Sequence, residues 1–373
     1  MHNNFEIIVS GIGPGKGGVG ILVKNLIAKY SSNNTRFYFI FNPTLSLKQY
    51  IKNKMFFSFL FNSSKWVFSF LGVNIFLYFI KNKNITIIYP QYIWTGSLKR
   101  LFERNSVSFY VMDSSFFCVK SYNFKNNQEC LDCVKSRDKI DDTCQPFPYV
   151  WSKKTTLKKI ELIKSYSKKI IFMCQNIKNQ QLLKECYGTS IKSKIVGMNT
   201  GEFCKDITIT SKAERFDIVY HGDINPAKGI NYVIEIANYL VEYTFLIPLN
   251  KHDLGINTLN TPKNIIFKEL RWETGLRDYV SSARLVLCPS LWSTTIEGAL
   301  LKSIAFNGNV AVVENIFGFQ SEIPKNVILK LNLSPVIATE QIKNFFEMNN
   351  DFKKESKNWL KQYCNKNRKL EIF

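Results

Sequence analysis

The chain has 373 residues, 45% of them apolar and 21% charged, which excludes a disordered or fibrous protein and provides for more than one buried core. Its 50 Lys and Arg against 29 Asp and Glu leave a net charge of +21, which suits an anionic partner: nucleic acid, a phosphate-bearing substrate or an acidic membrane surface. The nine cysteines are an odd number, and the amino terminus MHNNFEIIVSGIG lacks the layout of a secretory signal, so a reducing cytoplasmic compartment is expected.

In chain order, FEIIVSG (5–11) predicts a first buried strand, followed by a glycine-rich turn and a helix from about residue 21. RFYFIFN (36–42), ITIIYP (85–90), VSFYVMD (107–113) and KIIFMC (169–174) predict further strands, with helical patterns such as VKNLIAKY (23–30) and TLKKIELIKSYS (156–167) between them. The apolar stretch Trp66–Ile80 is shorter than the roughly 20 residues of a membrane span and is interrupted by Ser69 and Asn74. Two readings stay open for it: a helix buried in a large α/β core, or a helix lying in a bilayer face between Lys54, Lys65, Lys81 and Lys83.

The pattern loosens at 196–213 and then restarts with FDIVYHG (216–222), a helix near 229–240, YTFLIPL (243–249), NIIFKEL (264–270), ARLVLCP (283–289) and NVAVVE (309–314). Alternating strands and helices predict parallel sheets covered on both faces. The chain therefore reads as an α/β protein of two αβα domains, 1–200 and 201–355, with a helical tail at 356–373 packing back on the first domain.

GIGPGKGGVG (11–20) places glycines between strand and helix, where backbone N–H groups can meet a phosphate. It is a poor nucleotide-hydrolysis loop, because the spacing of Gly11 from Gly15-Lys16 is short and no Ser or Thr follows the lysine. In the second half, Gly222 ends a strand and Lys228-Gly229 opens a helix. Ser293, Thr294 and Thr295 could cap a helix and leave its first amides free for a phosphate, with Lys228 as counter-cation and Glu297 accepting from a ribose. Arg271 is a second cation at a strand end, and His221 is expected to face the cleft. Cys130 and Cys133 form a C-x-x-C with Cys118 upstream and Cys144 downstream, which could hold a structural zinc or remain reduced thiols.

Taken together, these segments resemble the two-Rossmann-domain (GT-B) glycosyltransferases, most closely the large retaining group, glycosyltransferase family 4 or group 1, that assembles bacterial polysaccharides such as lipopolysaccharide. The resemblance rests on GGVG after the first strand, YVMDSSFFC (110–118), IIFMCQNIKNQQLL (170–183), VGMNTGEF (196–203), HGDINPAKGI (221–230) and CPSLWSTTIEGALLKSIAFNG (288–308). It implies two domains facing a cleft, a nucleotide-sugar donor held by the second domain and a saccharide acceptor by the first, with no cofactor required. Lys228 and the amides near Ser293–Thr295 would take the diphosphate, Glu297 the ribose, and Gly17, Gly18 and Asp113 the acceptor, with Asp113 the candidate catalytic group. At the family's Arg, His and paired Glu positions stand Asp223, Met112, Thr295 and Ser303. The expected partners are the nucleotide-sugar and a lipid-linked saccharide at the inner face of the cytoplasmic membrane, and not nucleic acid. The rival readings are a cytosolic ATPase using Lys16–Gly20 and a non-catalytic basic module.

Overall fold

Runs of buried β-branched and aromatic residues place the strands in the computed structural model, which describes residues 6–15, 18–31, 34–41, 54–135, 140, 142–146, 151–198, 215–254 and 261–367. The first domain alternates β1 (Glu6–Ser10), α1 (Gly18–Tyr30), β2 (Thr35–Phe39), α2 (Phe56–Phe79), β3 (Asn84–Ile88), α3 (Thr95–Arg104) and β4 (Ser106–Tyr110). A two-stranded antiparallel hairpin, β5 (Phe124–Lys125) and β6 (Gln128–Glu129), interrupts the series. It continues with α4 (Lys153–Ser165), β7 (Ile171–Cys174), α5 (Ile177–Tyr187) and β8 (Lys192–Ile195). These strands form one parallel sheet in the order β2-β1-β3-β4-β7-β8. Its central strands are apolar along their length because helices cover both faces. The edge strand β8 carries Lys192 and Lys194, which guard an open sheet edge.

The second domain repeats the plan with β9 (Ile218–Tyr220), α6 (Ile230–Tyr239), β10 (Phe245–Ile247), β11 (Ile265–Phe267), α7 (Leu276–Ser282), β12 (Leu285–Leu287), α8 (Gly298–Phe306), β13 (Val310–Val313), β14 (Leu329–Leu331), α9 (Pro335–Glu347) and α10 (Lys353–Asn367). Its sheet is also parallel, in the order β11-β10-β9-β12-β13-β14. The α/β class and the two Rossmann-like domains expected from the sequence are both present. The tail helix begins at Lys353, and its Leu360 and Cys364 join the second domain's core beside α8, while burial, Glu322, Cys364 and Tyr110 of the first domain all push the Tyr363 hydroxyl up. The tail's Leu360 and Cys364 therefore pack on the second domain. The junction near residue 200 lies outside the described residues.

One expectation fails outright. The stretch Trp66–Ile80 does not form a buried helix: it is the second part of α2, of whose 24 residues only Val73, Asn74 and Leu77 are buried. Asn74 anchors that inner side, donating to the Phe70 carbonyl (2.8 Å) and accepting from Trp94 N (2.6 Å). The opposite side carries phenyl rings in solvent, among them Phe57 at 86% and Phe68 at 75% exposure. Among the described residues, no helix is long and apolar enough to cross a membrane.

Candidate active site

In each sheet, the chain runs outward in one direction and then returns to start on the other side of the first strand. Such a reversal, between β1 and β3 in one domain and β9 and β12 in the other, leaves a crevice beyond the carboxyl ends of the strands where ligands bind. Of the residues singled out by sequence, Gly222, Lys228, Glu297 and Asp113 lie at the carboxyl edges of the two sheets.

In the second domain, β9 ends at Tyr220 and leads through Gly222 into a short turn, Pro226–Lys228. Asn225 opens this turn by accepting from Ala227 N (2.9 Å), and Pro226 supplies the fixed φ. Gly229 closes it at φ +81°, and a Cβ there would lie 2.2 Å from the Pro289 carbonyl oxygen, so only glycine lets the two loops pack. Leu291 N then donates to the Ala227 carbonyl (2.8 Å), tying the loop after β12 to the loop after β9. The result brings Lys228 and Glu297 into a direct ion pair, with Ser290 Oγ donating to the same carboxylate (2.9 Å). The ammonium also lies over Trp292 and Tyr122, 5.1 and 5.9 Å from the ring centroids. Burial opposes its charge, but Glu297 and Tyr122 outweigh that and hold the Lys228 pKa above its ordinary value. Beside it, the indole Nε1 of Trp292 is buried without a hydrogen-bond partner, a donor that an incoming oxygen would satisfy.

Ser293, Thr294 and Thr295 do not cap the helix. Glu297 stands at the N-cap and α8 begins at Gly298, because the three hydroxyls are bound elsewhere. Thr294 Oγ1 donates to Gln320 (2.6 Å) and Thr295 Oγ1 to the Met112 carbonyl of the first domain (3.1 Å). Ser293 is held by the β5–β6 hairpin: its amide donates to Asn123 Oδ1 (3.1 Å) and its hydroxyl to Glu129 (2.5 Å). Glu129 also accepts from Ile316 N (2.7 Å) and Phe317 N (3.0 Å). A carboxylate of the first domain thus occupies a ring of N–H and O–H donors at the carboxyl edge of the second sheet. Asn123 and Glu129 were not signalled by the sequence, since their second-domain partners lie 164 to 188 residues away, nor was Tyr122, whose partner Lys228 lies across the domains.

On the first domain's side, Asp113 follows β4 and accepts from Gln91 Nε2 (3.0 Å) and Ser115 N (2.9 Å). Burial pushes its carboxyl up to about 6 despite those bonds. Gln91 is positioned from behind, its carbonyl accepting from Lys159 Nζ (2.6 Å) and Trp151 Nε1 (2.5 Å), and its Oε1 is buried without a partner. The Thr295–Met112 bond brings Asp113's strand end against the second domain. Gly18 opens α1 at the end of the glycine loop, and Gly17 lies outside the described residues.

Three candidates stand apart from this cluster. Arg271 is exposed before a short turn, next to Trp272, which stacks on His221 at 5.4 Å. His221 does not face the cleft: it is buried, bonded through Nδ1 to Ser303 (2.8 Å), and pushed down to about 3 by burial and Lys302, so it is neutral in function. Cys118 and Cys144 are buried and Cys130 and Cys133 half-buried, and burial raises the Cys118 pKa, with the other three adding to it. Among the described residues, no group of His, Cys, Asp or Glu is placed to hold a metal.

No family model and no curated protein sequence matches the chain. Its fold does match solved structures along nearly its whole length. Sucrose-phosphate synthase from Thermosynechococcus elongatus shares 10% identity at a TM-score of 0.62, covering 96% of this chain and 94% of that one. Anabaena HepE in complex with UDP and glucose also shares 10% identity at 0.62, covering 98% and 96%. The α,α-trehalose 6-phosphate synthase of Burkholderia multivorans shares 8% at 0.56, covering 98% and 96%. The chain has the fold of these proteins, the two-Rossmann-domain GT-B arrangement.

Proposed function

We propose that the protein is a glycosyltransferase that moves a sugar from a nucleoside-diphosphate donor to a saccharide acceptor. The observation that carries this reading is the Lys228–Glu297 pair at the second sheet's reversal point, facing Asp113 across the contact between Thr295 and Met112. Lys228 neutralises the diphosphate as it leaves, with the Trp292 indole N–H as a further donor. Glu297 is released from the lysine to accept from the ribose hydroxyls, with Gly222 and Ser293–Thr295 lining the same wall and Arg271 at its rim. Asp113, poised near neutrality, orients the acceptor hydroxyl or takes its proton, and the Gly17–Gly18 turn bounds the acceptor. The sugar keeps its anomeric configuration, as the family resemblance implies. The acceptor is a lipid-linked saccharide of cell-surface polysaccharide synthesis, met at the inner face of the cytoplasmic membrane. The test is transfer from a panel of nucleotide-sugars to soluble and to lipid-diphosphate-linked saccharides. Product with conserved anomeric configuration, and preference for the lipid-linked acceptor, is the expected result; no transfer with any donor overturns the reading.

A further inference from the structure

We propose that the outer face of α2 lies in the surface of an anionic lipid bilayer. At 100° per residue, Phe57, Phe61, Phe68, Ile75 and Phe79 fall within about 40° of arc on this helix, and all five are exposed. Trp66, Phe70, Val73 and Leu77 occupy the opposite side and pack on the first domain's core. The outer stripe is therefore a mainly aromatic apolar face about 33 Å long at 1.5 Å per residue, a feature that soluble surfaces do not carry without a partner.

Charge decides which partner. Between Glu6 and Glu103 the sequence contains no Asp or Glu and twelve Lys and Arg. Lys54 and Lys81 stand exposed at the two ends of the helix. Lys65 rides over the Phe61 ring at 4.3 Å, and Arg100 over Tyr78 at 5.5 Å. Rings that enter the acyl boundary, framed by cations that stay at headgroup level, are the chemistry of an interfacial helix on acidic lipid. The packed inner side keeps the helix from inserting further, so it lies on the bilayer and does not span it.

The placement also orients the cleft. Ser69, midway along α2, accepts from Phe41 N just past the end of β2 (2.8 Å). Residues 56–66 therefore rise beyond the carboxyl edge of the first sheet, the edge that carries Gln91 and Asp113. A membrane holding this ridge would present its headgroups beside that edge. This orientation deepens the acceptor reading above and rests on it; the binding itself does not.

The full chain is sedimented with vesicles of phosphatidylcholine alone and of phosphatidylcholine with phosphatidylglycerol, with no substrate present. Binding to the anionic vesicles, partly released by salt, is expected. Phe57→Ser/Phe61→Ser/Phe68→Ser should bind about tenfold more weakly or worse at an unchanged melting temperature. The single Phe57→Asp, at a ring almost free of protein contacts, should weaken binding in the same direction. Any of three results overturns the proposal: no binding to either vesicle, equal binding by the variants, or a self-associated chain that ignores lipid.

Discussion

Lys228 and Glu297 are 69 residues apart in sequence and share one hydrogen bond at the heart of the candidate donor site. Their side chains are only 19% and 11% exposed, so removing one partner strands the other's charge away from water. Lys228→Ala should cost on the order of 2 kcal/mol of stability, and the double variant with Glu297→Ala less than the sum of the singles. Chemical denaturation of the three variants reads both numbers. Asp113 gives a prediction with a sign. The fold raises its pKa from 3.8 to about 6, so it favours the protonated carboxyl. The stability this contributes is complete below the unfolded pKa, near 4, and is lost as the pH rises through about 6. Asp113→Asn, neutral throughout, should therefore melt above the parent at pH 8 and level with it near pH 4, while transfer falls about a hundredfold or more. A melting difference that does not shrink toward pH 4 would assign the effect to packing instead.

At the scale of elements, the β5–β6 hairpin joins the two domains. Glu129 collects two backbone amides and a hydroxyl from the second domain, charge-assisted bonds that only a carboxylate arm from the first can complete. Glu129→Ala should loosen this clamp, seen as a larger radius of gyration by small-angle X-ray scattering and faster proteolysis within the hairpin; an unchanged profile would show that other contacts hold the cleft. The sequence did not announce this clamp. Strands and helices are written in local runs of apolar residues, and those were legible: FDIVYHG, ARLVLCP and NVAVVE became β9, β12 and β13. The hydroxyls of Ser293–Thr295 looked like a helix cap because that pattern is also local, yet partners far along the chain claimed them. The same limit hid the outer face of α2. A segment apolar on all sides has no polar stripe to mark which side meets water, so Trp66–Ile80 reads first as a core helix.

For the whole molecule, two parallel sheets each reverse their strand order at one point, and the loop after β12 in the second domain meets the loop after β4 in the first through Thr295 and Met112. Gly222, Lys228 and Glu297 were legible because strand ends and helix starts carry ligands in α/β folds, and Asp113 through the family resemblance of YVMDSSFFC; Asn123 and Glu129 were not, because only the docked domains bring them there. The proposed activity requires the second domain to hold a nucleoside diphosphate between Lys228, Glu297 and the Trp292 indole. Titration calorimetry of the purified chain with the uridine, guanosine, adenosine, cytidine and thymidine diphosphates measures it directly. One of them should bind with one-to-one stoichiometry, and in Lys228→Ala its affinity should drop by a factor corresponding to about 1.5–3 kcal/mol. Heat signals absent for all five, or an affinity that Lys228→Ala leaves unchanged, would contradict the account.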